Sequence, residues 1–153
     1  MLKRYFQRKV LTPVVKILKQ GISPEKIALS IAWGVMLGIF PVLGTTTILC
    51  TVVAVMLRLN LPIIQLANWL VYPLQIILMI PFLVAGGYLF GSEPFMQDAG
   101  ELIVLFKSDW FNAFYFLWEV LVQAVLVWLI LTPVAIMLIY RILKSVLKSR
   151  YIK

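Results

Sequence analysis

Long apolar stretches divided by short polar breaks set the pattern of this chain. Residues 27–57, 61–91 and 113–140 are almost wholly apolar, with Arg58 standing between the first two and Glu119 lying inside the third. A helix of a soluble domain keeps one polar face, and these stretches leave none, so the pattern predicts helices solvated by lipid. Residues 1–22 differ. Lys3, Arg4, Arg8, Lys9, Lys16 and Lys19 alternate there with Leu2, Tyr5, Phe6, Val10, Val14, Ile17 and Leu18, the spacing of an amphipathic segment lying at the cytoplasmic membrane interface.

Ser23-Pro24-Glu25 is a helix start: a capping hydroxyl, a proline at the first helical position and an acid at the positive end. The apolar run that follows reaches Phe40, meets Pro41-Val42-Leu43-Gly44-Thr45-Thr46-Thr47, and resumes to Leu57. An arm of about 15 residues covers roughly 22 Å, short of a hydrocarbon core of about 30 Å. The economical prediction is a re-entrant helical hairpin over about 24–57, against an alternative of two short full spans. Beyond Arg58-Leu59-Asn60-Leu61-Pro62, residues 62–91 are long enough for one span kinked at Pro73, Pro81 and Gly86-Gly87, and 113–140 for another. The expected fold is an all-α integral membrane protein, with residues 1–153 forming a single membrane domain.

Charge then orients it. The 14 Lys and Arg residues outnumber six acids. The loop 92–112 holds Glu93, Asp98, Glu101 and Asp109 against Lys107, whereas the tail 141–153 carries Arg141, Lys144, Lys148, Arg150 and Lys153. Basic ends belong in the cytoplasm, which places the acidic loop outside, beside an aromatic cluster of Trp110, Phe111, Phe114, Tyr115, Phe116 and Trp118. The basic residues flank apolar segments and form no polar domain of their own, which argues against nucleic acid and for anionic lipid headgroups as partners. No removable signal peptide is read at the N-terminus.

The chain has no histidine and one cysteine, Cys50, so histidine-based zinc sites, histidine general bases and an intramolecular disulfide are absent. No carboxylate pair or phosphate loop stands in for them. The expectation is a protein that is not an enzyme, with no cofactor and no metal.

The candidate site is the break between the hairpin arms. Its first arm would present C-terminal carbonyls and its second free N–H groups, with Thr45 or Thr46 as cap, so donors and acceptors would meet at depth. Discontinuous helices of transporters hold anions and ions in this way. Pro41, Gly44, Thr45, Thr46, Arg58, Asn60, Asn68 and Glu119 are the candidate substrate contacts, and Gly34, Gly38 and Pro73 the candidate structural positions. The alternative makes Gly34 and Gly38 a packing seam, Pro41 and Gly44 a plain turn, and Asn60, Gln65, Asn68 and Gln75 interhelical hydrogen-bonding groups able to satisfy the hairpin. Glu119, four residues before Gln123, is either a functional acid or a residue reaching the outer interface.

The run Ser23-Pro24, Ile31-Ala32-Trp33-Gly34-Val35-Met36-Leu37-Gly38-Ile39-Phe40-Pro41-Val42-Leu43-Gly44-Thr45-Thr46 and Leu57-Arg58-Leu59-Asn60-Leu61-Pro62, with Asn68 and Pro73, resembles the bacterial domain-of-unknown-function 2062 family. That family usually sets the asparagine directly before the proline, and here four residues intervene between Asn68 and Pro73. The resemblance implies a small protein of the bacterial inner membrane, in some members fused to or encoded beside glycosyltransferases that act on lipids. The proline-glycine tip is also similar in layout to polyprenyl-phosphate lipid transporters, an analogy of architecture. Two functions are expected in order: a transporter or flippase for a phosphate-bearing lipid carrier, and a structural or adaptor subunit that recruits or stabilises a lipid-modifying enzyme. At this size, a homo-oligomer or a membrane partner is implied for the first.

Overall fold

The computed structural model describes residues 22–91 and 107–151. The interfacial segment predicted over 1–22, most of the acidic loop 92–112 and the end of the basic tail lie outside these residues. Among the described residues the chain is all helical, with five helices and no strand: α1 Pro24–Gly38, α2 Thr46–Met56, α3 Leu61–Leu70, α4 Tyr72–Phe90 and α5 Trp110–Tyr151.

α1 starts where local chemistry directs it. Ser23 has extended dihedrals and its Oγ accepts from the Lys26 N–H at 3.4 Å, with Pro24 in the first turn. α2 ends in a Schellman turn: the Leu59 N–H donates to the Ala54 carbonyl at 2.8 Å and the Arg58 N–H to Val55 at 3.3 Å. Asn60 then caps α3 through its Oδ1, which accepts from the Ile63 N–H at 3.1 Å.

The span predicted as one kinked helix over 62–91 is instead two helices, broken at Val71. Pro73 is the cause. It has no N–H to offer the Trp69 carbonyl four residues back, and its ring crowds that oxygen. The Val71 N–H closes α3 on the Ala67 carbonyl at 3.2 Å, and α4 begins anew with Pro73 in its first turn. Pro81 and Pro133, by contrast, are carried inside α4 and α5.

The break assigns α3 to a cluster of short helices. α1 and α3 run parallel, with one register offset along the seam: the Asn60 N–H donates to Ser30 Oγ at 3.1 Å, Gly34 lies against Ile64, and Gly38 against Asn68 and Val71. Positions 30, 34 and 38 fall on one face of α1, and the two glycines let the backbones approach. A Cβ on Gly34 would stand 2.5 Å from the Ile64 carbonyl oxygen. α2 lies antiparallel on α3, joined through Gln65, whose Nε2 donates to the Thr47 carbonyl at 3.0 Å and to Thr51 Oγ1 at 3.2 Å.

α5 ties the whole together. It runs antiparallel to α1, with Lys148 beside Glu25 at one end and Trp128 beside Met36 further along. It also runs antiparallel to α4, where Gly86 packs against the backbone of Gln123 and Ala124. The buried core gathers where these helices meet and includes Met36, Leu37, Cys50, Ile64, Leu83, Ala124 and Trp128. At the α1 start, the Glu25 carboxyl is held below the usual carboxylate range by its own backbone N–H, against partial desolvation, with Lys148 at 3.4 Å and Lys144 at 3.9 Å adding to the shift. Because this pKa is lowered on folding, the contact contributes above the usual carboxylate range and is lost as pH falls through the lowered value. It is a solvent-facing pair, and its weight is small.

By length and composition, α4 (Tyr72–Phe90) and the Trp110–Lys148 stretch of α5 are long and apolar enough to cross a membrane. α1, α2 and α3 have 15, 11 and 10 residues. At 1.5 Å per residue the longest of these covers about 22 Å.

Candidate functional site

The turn between α1 and α2 concentrates unsatisfied backbone groups, because each helix end leaves its last carbonyls or first N–H groups without intrahelical partners. Pro41 fixes the place of the turn, since it cannot donate to a carbonyl of α1. Its side chain is fully buried. Gly44 adopts φ +82 with open space around it, a left-handed conformation that other residues resist.

The acceptor side of the turn is closed off by two side chains from other helices, and a third, Gln65, binds the first turn of α2. Trp128 Nε1 donates to the Met36 carbonyl at 2.9 Å, and Gln75 Nε2 to the Phe40 carbonyl at 2.7 Å. Gln65 and Thr51 both donate to the Thr47 carbonyl. The Phe40 ring also meets the Trp128 ring edge-on, centroids 4.9 Å apart. Gln75 is buried, and its Oε1 has no hydrogen-bond partner among the described residues.

The donor side is not closed. Thr45 stands at the N-cap of α2, yet its dihedrals are helical and its side chain makes no capping bond. Its Oγ1 turns back and donates to the Val42 carbonyl at 3.0 Å. Thr46 is buried at 6% exposure, so its hydroxyl does not cap from outside either. The expected hydroxyl cap is therefore not made. The first N–H groups of α2 have no capping side chain, and Leu43, Gly44 and Thr47 are exposed at this positive end of the helix dipole. Next to this turn, Val42 and the α5 residues Trp118, Leu121, Val122, Val125 and Leu126 line an apolar groove of about 310 Å³.

The other sequence candidates are distributed over the molecule. Arg58 and Asn60 sit at the far end of α2, a helix of 11 residues that separates them from the turn by about 16 Å. Asn60 is occupied as the α3 cap and in the bond to Ser30. Asn68 is buried against Gly38, with its Nδ2 donating to Gln65 Oε1 at 3.4 Å. Pro73 starts α4. Glu119 is on the exposed side of α5 and accepts from Gln123 Nε2 at 3.3 Å. Thus Pro41, Gly44, Thr45 and Thr46 form one turn, while Arg58, Asn60 and Glu119 stand apart from it.

Trp128 is the contributor that sequence reasoning passed over. A lone tryptophan deep inside an apolar helix, away from the interfacial positions such residues favour, is a signal that its N–H has a protein partner. Among the described residues, fold and site together define an all-helical arrangement with two helices long and apolar enough to cross a membrane and a turn held between short helices. The model of a bacterial family described as "Uncharacterized protein conserved in bacteria (DUF2062)" matches residues 7–153, and the chain belongs to that family. No curated protein and no solved structure matches the chain.

Proposed function

We propose that the chain is a multi-pass protein of the bacterial inner membrane that moves a phosphate-bearing lipid between leaflets, using the α1–α2 turn to hold the anionic headgroup. The membrane assignment is supported by how little of the long helices is covered. Only 28% of each apolar window in α4 and α5 is buried, whereas the core helix of a soluble protein would be mostly buried. Ile48, Val55 and Met56 on α2 are 67%, 71% and 75% exposed, which water would penalise and lipid would not. With α1 and α2 shorter than a hydrocarbon core, the hairpin enters the bilayer and returns.

The observation that carries the headgroup assignment is the asymmetry of the turn. Its Met36 and Phe40 carbonyls are occupied by Trp128 and Gln75, while the first N–H groups of α2 have no capping side chain. What remains available is a cluster of donors at a positive helix end, the chemistry that binds phosphate. A bundle of this size encloses no pathway by itself, so transport calls for a homo-oligomer or a membrane partner.

The same stitching also favours a second reading, in which the turn is a joint and the protein is an adaptor that stabilises a lipid-modifying enzyme such as a glycosyltransferase. One substitution separates the two. Thr45→Asp sets a carboxylate at the positive end of α2, which offsets the lost hydroxyl bond to Val42 to within about 1 kcal/mol and repels a phosphate from the donors. In liposomes containing the purified protein and a fluorescent anionic lipid, movement between leaflets should fall severalfold or more in this variant. A folded Thr45→Asp protein, with its melting midpoint near the original, that moves lipid as well as the original would leave the adaptor reading standing.

Orientation follows from charge, with all basic residues except Lys107 on the cytoplasmic side. A cysteine replacing Asp98 in a chain lacking Cys50 should react with an impermeant reagent in intact cells. External labelling of a cysteine at Ser149 instead would invert the topology.

A further inference from the structure

We infer that the α2–α3 turn is a second anion site, in which Arg58 holds the phosphate of an anionic membrane lipid at the basic end of the bundle. Three observations meet there. Arg58 has φ 52, the one positive-φ residue other than glycine among those described. It occupies the C′ position of the Schellman turn, where glycine is the usual residue because a side chain strains the left-handed backbone. The turn is pinned on its far side by Asn60, bonded to Ser30 and capping α3, so Arg58 is carried on a fixed support.

The guanidinium is exposed, and no ion pair or hydrogen bond of its side chain is found among the described residues. Other cations come to the same end from two further helices. Lys26 lies one turn before Ser30 on α1, and Lys144 and Lys148 bracket Leu147, which packs on the Ile27–Ile63 contact. The one acid described there, Glu25, is already taken by Lys144 and Lys148. Beside the arginine, Val55, Met56, Leu57 and Leu61 are exposed and apolar. A planar cation next to an apolar skirt fits an amphiphile with a phosphate head, and guanidinium can grip phosphate through two parallel N–H donors. A strained residue kept where glycine would be easier is the pattern of a site held for binding.

This site shares with the proposed function only the placement of the chain in a bilayer, and it does not need the α1–α2 turn to move lipid. Its test is a melt of the full chain in neutral detergent, with unfolding read by labelling of the buried Cys50 thiol. Short-chain phosphatidylglycerol, phosphatidylcholine and inorganic phosphate are titrated separately. Phosphatidylglycerol should stabilise the original protein more than phosphatidylcholine does, and inorganic phosphate should have little effect. Arg58→Gly should melt about 2 to 4 °C higher in detergent alone, because the strain is relieved. It should also need about tenfold more phosphatidylglycerol for the same shift. Arg58→Lys should fall between, keeping charge without the two-pronged geometry. The inference is overturned if Arg58→Gly melts lower than the original, which would make the arginine part of the fold. It is equally overturned if that variant responds to phosphatidylglycerol unchanged, or if inorganic phosphate stabilises as well as the lipid, which would point to a soluble phosphate ligand.

Discussion

Gly34→Leu should cost the protein a large share of its stability. A Cβ at this position would lie 2.5 Å from the Ile64 carbonyl oxygen, 2.7 Å from the Ala67 Cβ and 3.1 Å from the Ile64 Cα. Two of these three are backbone atoms of α3, which cannot swing aside as a flexible side chain would. The two helices must separate to admit the new atoms, and separation uncovers Ile27, Ile63 and Ile64 and pulls Asn60 from Ser30. Overpacking of cores typically costs about 1–3 kcal/mol, and a collision with backbone belongs at or above the top of that range. Against a total stability of roughly 5–15 kcal/mol this is a large share. In a melt of the detergent-solubilised protein the midpoint should fall by roughly 10 °C or more. Gly44→Ala is the comparison, since nothing lies within 4 Å of a Cβ there and only its φ of +82 resists the methyl. A Gly34→Leu protein that melts within a few degrees of the original would mean that α1 and α3 do not make this close parallel contact.

The second large effect is expected at Trp128. Its ring meets Phe40 edge-on at 4.9 Å, its indole N–H serves the Met36 carbonyl, and it is 5% exposed. Trp128→Ala leaves a cavity in the core and strips a buried carbonyl of its donor, for about 3–5 kcal/mol. Trp128→Phe isolates the polar part: the ring contact is largely kept, the hydrogen bond is lost, and the cost should be about 1–3 kcal/mol. Unfolding free energies of the two variants decide the assignment. If phenylalanine is as stable as tryptophan, the carbonyl at the end of α1 has no need of the indole.

Both effects concern contacts between helices, and they mark where local chemistry stops determining this fold. The start of α1 is written in Ser23-Pro24-Glu25, because a capping hydroxyl and a proline act on their own helix. The turn at Pro41 to Thr45 and the stop before Asn60 are written locally too, through a missing N–H, a glycine free to take positive φ, and a side-chain cap. The apolar composition of 62–91 and 113–140 likewise marks stretches of spanning length without reference to partners, although only Tyr72–Phe90 of the first forms the long helix.

The tertiary structure decided the rest. That Pro73 breaks its helix while Pro81 and Pro133 do not is not visible in the proline itself. Gly34 and Gly38 read equally as features of a site or as a packing seam until α3 is laid beside them. Gln65 and Gln75 are legible as spare hydrogen-bonding groups, but that they serve the Thr47 and Phe40 carbonyls depends on which helices meet. Thr45 shows the limit most clearly. Its identity marks a cap, and its hydroxyl turns to Val42 because the backbone at that residue is helical and points the side chain away from the N–H groups it was expected to serve. Capping, turn formation and apolar length act within a few residues of chain, whereas donors for orphan carbonyls, close backbone approach and the grouping of site residues are set by helices that sequence keeps some 30 to 90 positions apart.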